Sequence, residues 1–470
     1  MEILASTEAK RLNLYHLASL FFHGETERFS VKAEENENGV TVFLSDGEKT
    51  VQASASFDVS LHKEASRAQN AAFGQAFAEA AKFFTEYVPP YGLLFGVRPV
   101  KVPVFYRKNG FSPEETKHIL QSEFLVSDSK ASLLISLCET ELSFEKTLSN
   151  TDGMLYLSIP FCPSRCNYCS FISSAAPNHL AMIPDYLEML KSEIRKTAQV
   201  MSRAKKKLCA VYMGGGTPGI LSAKQMEDLL FTVKNSFDTS SLREFCVEIG
   251  RPDTVTEEKL AVLKKIGVER ISINPQTVKN ETLDRIGRRH SAEDFYRAMS
   301  LAKEYDFASV NCDLIAGLEG ETPEDFLASL KKVLELCPQE ITLHALCQKR
   351  SASGSELPEE GKRWQEAMEL AHKSCIKHGL APYYLYRQKN AAADLENTGF
   401  SQNGTLGVYN LSMMEDLCDI FACGAGAIGK LLPKTKGARI QRFPGFKYPF
   451  EYLAHPERCD RRLEEMLQYL

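Results

Sequence analysis

The sequence predicts an α/β protein: a run of six β/α units, preceded by a small α+β domain and followed by a mixed α+β extension. Two observations carry this. Between 154 and 346, short runs rich in Val, Ile, Leu and Tyr alternate with segments whose apolar residues recur every three to four positions. The short runs are also too continuously apolar to own a solvent face, as expected of parallel strands covered on both sides. Right-handed crossovers allow such a series to close as a doubly wound sheet or as part of a (β/α) barrel, and periodicity does not choose between them.

Residues 1–150 read as a separate domain. RFSVKA, GVTVFL and TVQASASF, divided by the turn signals NENG and SDGE, are strands, and a helix follows over 66–87. PPYGLLFGVRPVKVP breaks the pattern, and Ser112 with Pro113 opens a helix over 113–124. The second region, 151–350, holds the strands MLYLSI, LCAVYM, EFCVEI, ERISIN, SVNCDLI and EITLHAL. Its helices have readable starts: Ser222 with Gln225, Ser291 before Glu293 and Asp294, and Thr322 followed by Pro323, Glu324 and Asp325. RAKKK at 203–207 is the basic end of the helical segment DYLEMLKSEIRKTAQVM that precedes it, where cations suit the helix dipole. In the third region, 351–470, SASGSELPEEG is a loop, and helix and strand then mix around the glycine-rich run ACGAGAIGK.

Composition bounds the function. A chain of 470 residues, 44% hydrophobic and 25% charged, is globular and long enough for two or three domains. MEILASTEAKRLNLYHLASLFF is no secretory signal, and no apolar run approaches the 18 or so residues of a membrane helix, so a cytoplasmic protein without membrane contact is expected. The net charge of −5 argues against a nucleic-acid partner. Thirteen cysteines in that compartment are reduced thiols. Cys138, Cys209, Cys246, Cys312, Cys337, Cys347, Cys375, Cys418, Cys423 and Cys459 are scattered and read as small buried hydrophobes.

Cys162, Cys166 and Cys169 are the exception. Their CxxxCxxC spacing in LYLSIPFCPSRCNYCSF has no fourth cysteine nearby. Structural zinc wants four ligands, and the candidates for a fourth, His179 and Cys209, lie in an unpatterned loop and a strand. An iron-sulfur cubane left one thiolate short instead exposes an iron that a ligand can coordinate. GGGTP follows the second strand: Gly214, Gly215 and Gly216 let backbone approach a ligand closely, and the Lys-Ser/Thr of a phosphate loop is absent. Glu248 and Asp313 stand inside apolar strands, where an acid needs a partner or a ligand, and Gln276 and Arg288 lie just past the fourth strand. In a barrel, the cysteine loop, Gly214 to Thr217, Glu248, Gln276 and Cys347 would all fall at the carboxyl rim, where barrel active sites assemble.

The cysteine stretch resembles the radical S-adenosylmethionine (radical SAM) superfamily. LYLSIPFCPSRCNYC, GGGTP, ISINPQT with GRRH beyond it, NCDLIAGLEGETPEDF and GAGAIGK resemble its oxygen-independent coproporphyrinogen III oxidase (dehydrogenase) family. FGVRPVK, PYYLYRQKNAAADLENTGF and YNLSMMED are similar to the HemZ-type branch. The resemblance implies a partial (β/α)6 TIM-like barrel, a [4Fe-4S] cluster on Cys162, Cys166 and Cys169, and one or two molecules of S-adenosylmethionine. Tyr156, Gly215 and Glu248 would contact the first. Tyr168, Gly216, Thr217, Gln276, Arg288, Asp313, Cys347 and Ile428 would contact the second. The implied reaction is oxidative decarboxylation of two propionates of coproporphyrinogen III to the vinyl groups of protoporphyrinogen IX, with a flavodoxin- or ferredoxin-type electron donor.

The tetrapyrrole's four carboxylates ask for cations, for which Arg98, Lys101, Arg350, Arg387, Lys389 and Arg442 are candidates. Two features depart from that family: Phe171 stands where its members carry a further cysteine, and residues 1–60 hold no strap rich in Arg, Tyr, Ser and Pro. A haem-binding chaperone of the same superfamily shares the phenylalanine, but its HN-x-x-YW signature is replaced by YNLSMM. A non-catalytic iron-sulfur or zinc scaffold is the remaining alternative, and it would need none of Glu248, Gln276, Arg288 and Asp313.

Overall fold

The computed structural model describes residues 1–22, 25–169, 177–347, 361–389, 391–435 and 437–470. The expected loop over 351–361, except Gly361, lies outside them, as do Phe171 and Arg350. The chain divides into two compact units, Met1–Leu142 and Ser143–Leu470.

The first unit holds a four-stranded sheet in the order β1 (Glu2–Leu4), β2 (Ser30–Glu35), β3 (Gly39–Ser45) and β4 (Thr50–Ser56), parallel between β1 and β2 and antiparallel elsewhere. The three expected strands are there. The helix Ala65–Ala81 packs on β3 and β4. Its Ala72, Ala76, Phe73 and Phe77 are buried with Val31, Val42 and Leu44. The small alanines allow close approach and the two phenylalanines fill the gap left between. Sequence reading overlooks the helix Glu8–Phe21, capped by Thr7, and takes 89–103 as a break. In the structure residues 101–108 are helical, because Pro103 stands in the first turn, where its missing N–H has no helical acceptor to lose.

The second unit is one sheet of eleven strands. Its centre is β5 (Asp152–Ile159), β6 (Lys207–Gly215), β7 (Glu244–Gly250), β8 (Arg270–Ile273), β9 (Ser309–Ala316) and β10 (Glu340–Ala345), each parallel to the next in chain order. Helices, among them Ile183–Arg203, Ala223–Ser236 and Pro323–Glu335, join them, and Gly361–Lys377 follows β10. This is a partial (β/α)6 barrel. The expected helix starts at Ser222, Ser291 and Thr322 are reciprocal capping boxes. Leu155, Leu157, Val211, Val247, Ile271, Leu314 and Leu343 pack with Leu190, Leu229, Leu263 and Leu330 of the helices in one core.

The C-terminal residues continue this sheet at both ends. The hairpin β11 (Leu380–Arg387) and β12 (Glu396–Gln402) adds to β10 antiparallel. Strand β13 (Asp419–Cys423) lies parallel to β5, and β14 (Ile428–Leu431) and β15 (Gln441–Pro444) extend that edge. The glycine-rich run therefore leaves β13 at the same end at which the cysteine loop leaves β5. Eight of the ten scattered cysteines are buried; Cys347 is half-buried, and Cys337 is exposed. Cys337 departs from its expected burial because it occupies the left-handed turn (φ 52°) just after the helix Pro323–Glu335.

Candidate functional site

At the carboxyl end of the parallel strands lies a cavity of about 210 Å³. Of the residues singled out in the sequence, Cys162, Cys166, Tyr168, Cys169, Gly215, Gly216, Thr217, Glu248, Gln276, Arg288, Asp313 and Cys347 line it. Three do not. Tyr156 belongs to a stacked group with Tyr212 and Tyr409, at ring separations of 6.2 and 6.0 Å. Gly214 makes room for the carboxylate: a Cβ there would sit 2.7 Å from Glu248 Oε2. Ile428 is 49% exposed at the start of β14.

The cysteine loop is tied down on two sides. Phe161, fully buried and edge-on to Tyr186, accepts the Thr217 N–H at 2.7 Å, and Gly216 N–H reaches Ile159 O at 2.8 Å. A Cβ on Gly216 would meet Phe161 O at 2.6 Å and Cys162 Sγ at 3.0 Å, so only glycine lets the turn after β6 lie against the loop. From the other side, Asn167 N–H donates to Ile286 O at 3.0 Å, and the Asn167 and Ser164 side chains bond Arg285 O and Gly287 O. Thr217 Oγ1 donates to Cys162 Sγ at 3.4 Å, while Arg288 Nη1 lies 4.0 Å from Cys166 Sγ and 3.2 Å from the Tyr168 hydroxyl.

Gln276 occupies a left-handed conformation, φ 68°, that a non-glycine residue adopts at a cost of order 1–3 kcal/mol. The price is met by two backbone bonds to β9: its N–H to Asp313 O at 2.9 Å, and its carbonyl from Ile315 N–H at 3.0 Å. Among the described residues its buried side-chain Oε1 has no hydrogen-bond partner, and neither do Asn274 Oδ1 and Arg288 Nε nearby. Buried polar atoms are normally satisfied, so these mark where a polar ligand belongs.

Glu248 accepts a hydrogen bond from the Tyr212 hydroxyl at 3.3 Å. Burial, reinforced by the neighbouring Asp313 charge, pushes its carboxyl up to about 7. Asp313 goes the other way: burial opposes ionisation, but hydrogen bonding and charge from His344, with Asn311 and Thr342, hold it below the usual range. Two carboxyls of one cavity are thus driven apart in protonation, a common feature of catalytic sites. His344 is raised: against burial, Asp313 favours the imidazolium. Asn397 Oδ1 accepts the Ala345 N–H at 3.1 Å and lies 3.2 Å from His344 Nδ1, so Nδ1 carries a proton.

His344, Arg251, Asn274 and Asn397 also line the cavity and escape the sequence reading. His344 had a signal, a titratable residue in the apolar run EITLHAL, the same logic that singles out Glu248 and Asp313. Arg251, 2% exposed and bonded to Ser164 Oγ at 2.6 Å, follows directly on β7. Of the cations expected for substrate carboxylates, Arg387, Lys389 and Arg442 are not among the lining residues, Arg98 and Lys101 belong to the first unit and Arg350 lies outside the described residues; among the described residues Arg251 and Arg288 are the arginines that line the cavity.

The three thiols fit a cluster better than a single ion. Among the described residues no three His, Cys, Asp or Glu side chains converge closely enough to hold one metal ion, yet all three cysteines face one cavity. A cubane is held by thiolates that stand apart, each on its own iron. The unpartnered Gln276, Asn274 and Arg288 atoms and the glycine turn provide the polar cradle that a zwitterionic nucleoside needs.

A partial (β/α)6 barrel with three cysteines at its carboxyl rim defines a radical SAM protein, and comparison with known proteins agrees. The Radical SAM superfamily model matches residues 156–333. The oxygen-independent coproporphyrinogen-III oxidase-like protein HemZ of Bacillus subtilis is 34% identical over 419 residues, 87% of this chain and 82% of that protein. The heme chaperone HemW of Haemophilus influenzae is 30% identical over 305 residues, 64% of this chain and 75% of its own. The solved structure of HemN, the coproporphyrinogen III oxidase of Escherichia coli, shares the fold with a TM-score of 0.53 at 21% identity, over 67% of this chain and 72% of that one. The chain belongs to the HemN/HemZ family of the radical SAM superfamily, whose cofactors are a [4Fe-4S] cluster and S-adenosylmethionine.

Proposed function

We infer that the protein carries out the oxygen-independent oxidative decarboxylation of coproporphyrinogen III to protoporphyrinogen IX. The observation that carries this reading is the convergence of Glu248, Gln276, Arg288 and Asp313 on the cavity that holds the three cysteines, in a chain aligned over most of its length with HemZ. A scaffold protein would need no such set. Cys162, Cys166 and Cys169 would hold the cluster, and the glycine turn with Glu248, Gln276, Arg288 and Asp313 would hold S-adenosylmethionine. Held there, the two groups together would supply one-electron radical chemistry at an unactivated C–H bond.

The chain's own residues then have three tasks. Glu248, hydrogen-bonded to Tyr212, offers an acceptor to the amino group of the cofactor, and a cation there draws it into its ionised form. Arg251, Arg288 and the imidazolium of His344 give the cavity a positive complement to the carboxylates of the tetrapyrrole. Phe161 and Thr217 fix the cysteine loop against β6, so that the reacting carbon is placed by packed elements and not by a loose segment. Residues 351–470 are proposed to cover the substrate or to play an accessory part, and a flavodoxin- or ferredoxin-type protein to donate electrons in the cytoplasm.

The similarity to HemW favours one second reading, a haem-binding role on the same fold. Anaerobic incubation of the reconstituted protein with coproporphyrinogen III and S-adenosylmethionine tests the choice. Protoporphyrinogen IX and 5'-deoxyadenosine support the decarboxylase. Tight haem binding without porphyrinogen turnover supports the chaperone.

A further inference from the structure

A second pocket, of about 290 Å³, opens at the β15 edge of the sheet, between that strand and the C-terminal helix Pro456–Tyr469. Its walls include Arg442, Phe446, Arg458, Arg461, Arg462 and Glu465. Four guanidinium groups against one lining carboxylate are unexpected on a chain of net charge −5. The excess is local: residues 430–450 contain six Lys and Arg and no Asp or Glu.

The arginines are arranged rather than scattered. Arg458, Arg461 and Arg462 recur at three-to-four spacing on one face of the helix, where like charges repel unless something neutralises them. Arg458 lies over the Phe446 ring, 4.6 Å from its centre, which fixes its guanidinium plane. Among the described residues, Arg442, Arg458 and Arg461 form no ion pair. Arg462, 7% exposed, is the floor. It is paired with Glu193 and bonded to Ala422 O, yet its Nε and Nη1 are without a hydrogen-bond partner. Glu193 balances the charge of Arg462 but not its hydrogen bonding, and the two buried donor nitrogens left over ask for an acceptor.

We propose that this pocket is an anion-binding site for a small ligand carrying two or more phosphate or carboxylate groups, separate from the cysteine cavity. Planar, always-charged guanidiniums suit bidentate capture of either group, and neither needs a metal. The site is wired to the fold. Glu193, which holds Arg462, also accepts the Gly424 N–H at 2.8 Å and the Tyr452 hydroxyl at 2.7 Å. The next residue, Ala425, donates its N–H to Tyr186 and accepts from Ser158 Oγ at 2.6 Å, on the strand that enters the cysteine loop.

The test is calorimetric titration of the reconstituted full chain at low ionic strength with inorganic pyrophosphate and, separately, citrate. Saturable one-to-one binding of at least one is expected, at least tenfold weaker in R442A/R461A and weakened in R458A. Melting temperature and cluster absorbance should stay unchanged in both variants. Tighter pyrophosphate binding assigns a phosphate ligand and tighter citrate binding a carboxylate. The variant R195A/R203A, in a different arginine-bearing groove, is the control and should bind as the parent does. Absence of saturable binding by both probes, undiminished binding in R442A/R461A, or an equal loss in the control would each overturn the proposal.

Discussion

Replacing Glu248 by Gln should stabilise the cofactor-free protein above neutral pH while weakening its hold on S-adenosylmethionine. The carboxyl is raised from 4.5 to about 7 by burial and by Asp313. Between those values the folded chain binds a proton that the unfolded chain has released, so stability falls as pH rises through the window and levels off above 7. At about 1.4 kcal/mol per unit, and with some screening through the open cavity, ionised Glu248 costs the folded state about 2–3 kcal/mol at pH 8 and almost nothing below pH 4.5. Gln keeps an acceptor for the Tyr212 hydroxyl and removes the titration. Urea unfolding of wild type and variant, free of cluster and under reductant, at pH 5 and pH 8 reads the difference with the titrations of groups remote from Glu248 cancelled. The variant's advantage should grow by about 2 kcal/mol from the lower to the higher pH. A difference independent of pH, or one that favours the wild type more at pH 8, refutes the picture of a carboxylate held in readiness for a cation.

Cys166→Ala should abolish the brown absorbance of the reconstituted protein and the formation of 5'-deoxyadenosine, both followed directly. Gly216→Ala should lower cluster occupancy, measured as iron and sulfide per chain, because the new methyl group meets Phe161 O and Cys162 Sγ. Glu193→Ala leaves the buried Arg462 without its carboxylate and removes an acceptor from Gly424 and Tyr452. A loss of about 3–5 kcal/mol is expected, measured by urea unfolding.

The central strands were legible because each is an apolar run between helices with written starts, and Ser222, Ser291 and Thr322 all cap as their sequences require. The first helix was not, since the apolar positions of Glu8–Phe21 do not stand out from the polar ones. Nor was the place of β13: a five-residue strand some 260 positions after β5 carries no mark of which edge it joins. The same limit governs the site. Glu248 and Asp313 declared themselves as acids in apolar strands, and His344 offered the same sign. Asn397 did not, because its role depends on a hairpin that brings β12 beside β10. Arg251 escaped for a related reason: it reaches the cavity from the turn just past β7, which its charge alone does not reveal.

The central claim is that three thiolates leave one iron of a cubane open for a sulfonium nucleoside. Electron paramagnetic resonance of the reconstituted, reduced protein with and without S-adenosylmethionine tests it most directly. A [4Fe-4S] signal whose line shape changes on addition, and which disappears in the Cys166→Ala variant, is the expected result. A signal indifferent to the nucleoside, or one that survives loss of that cysteine, contradicts the account.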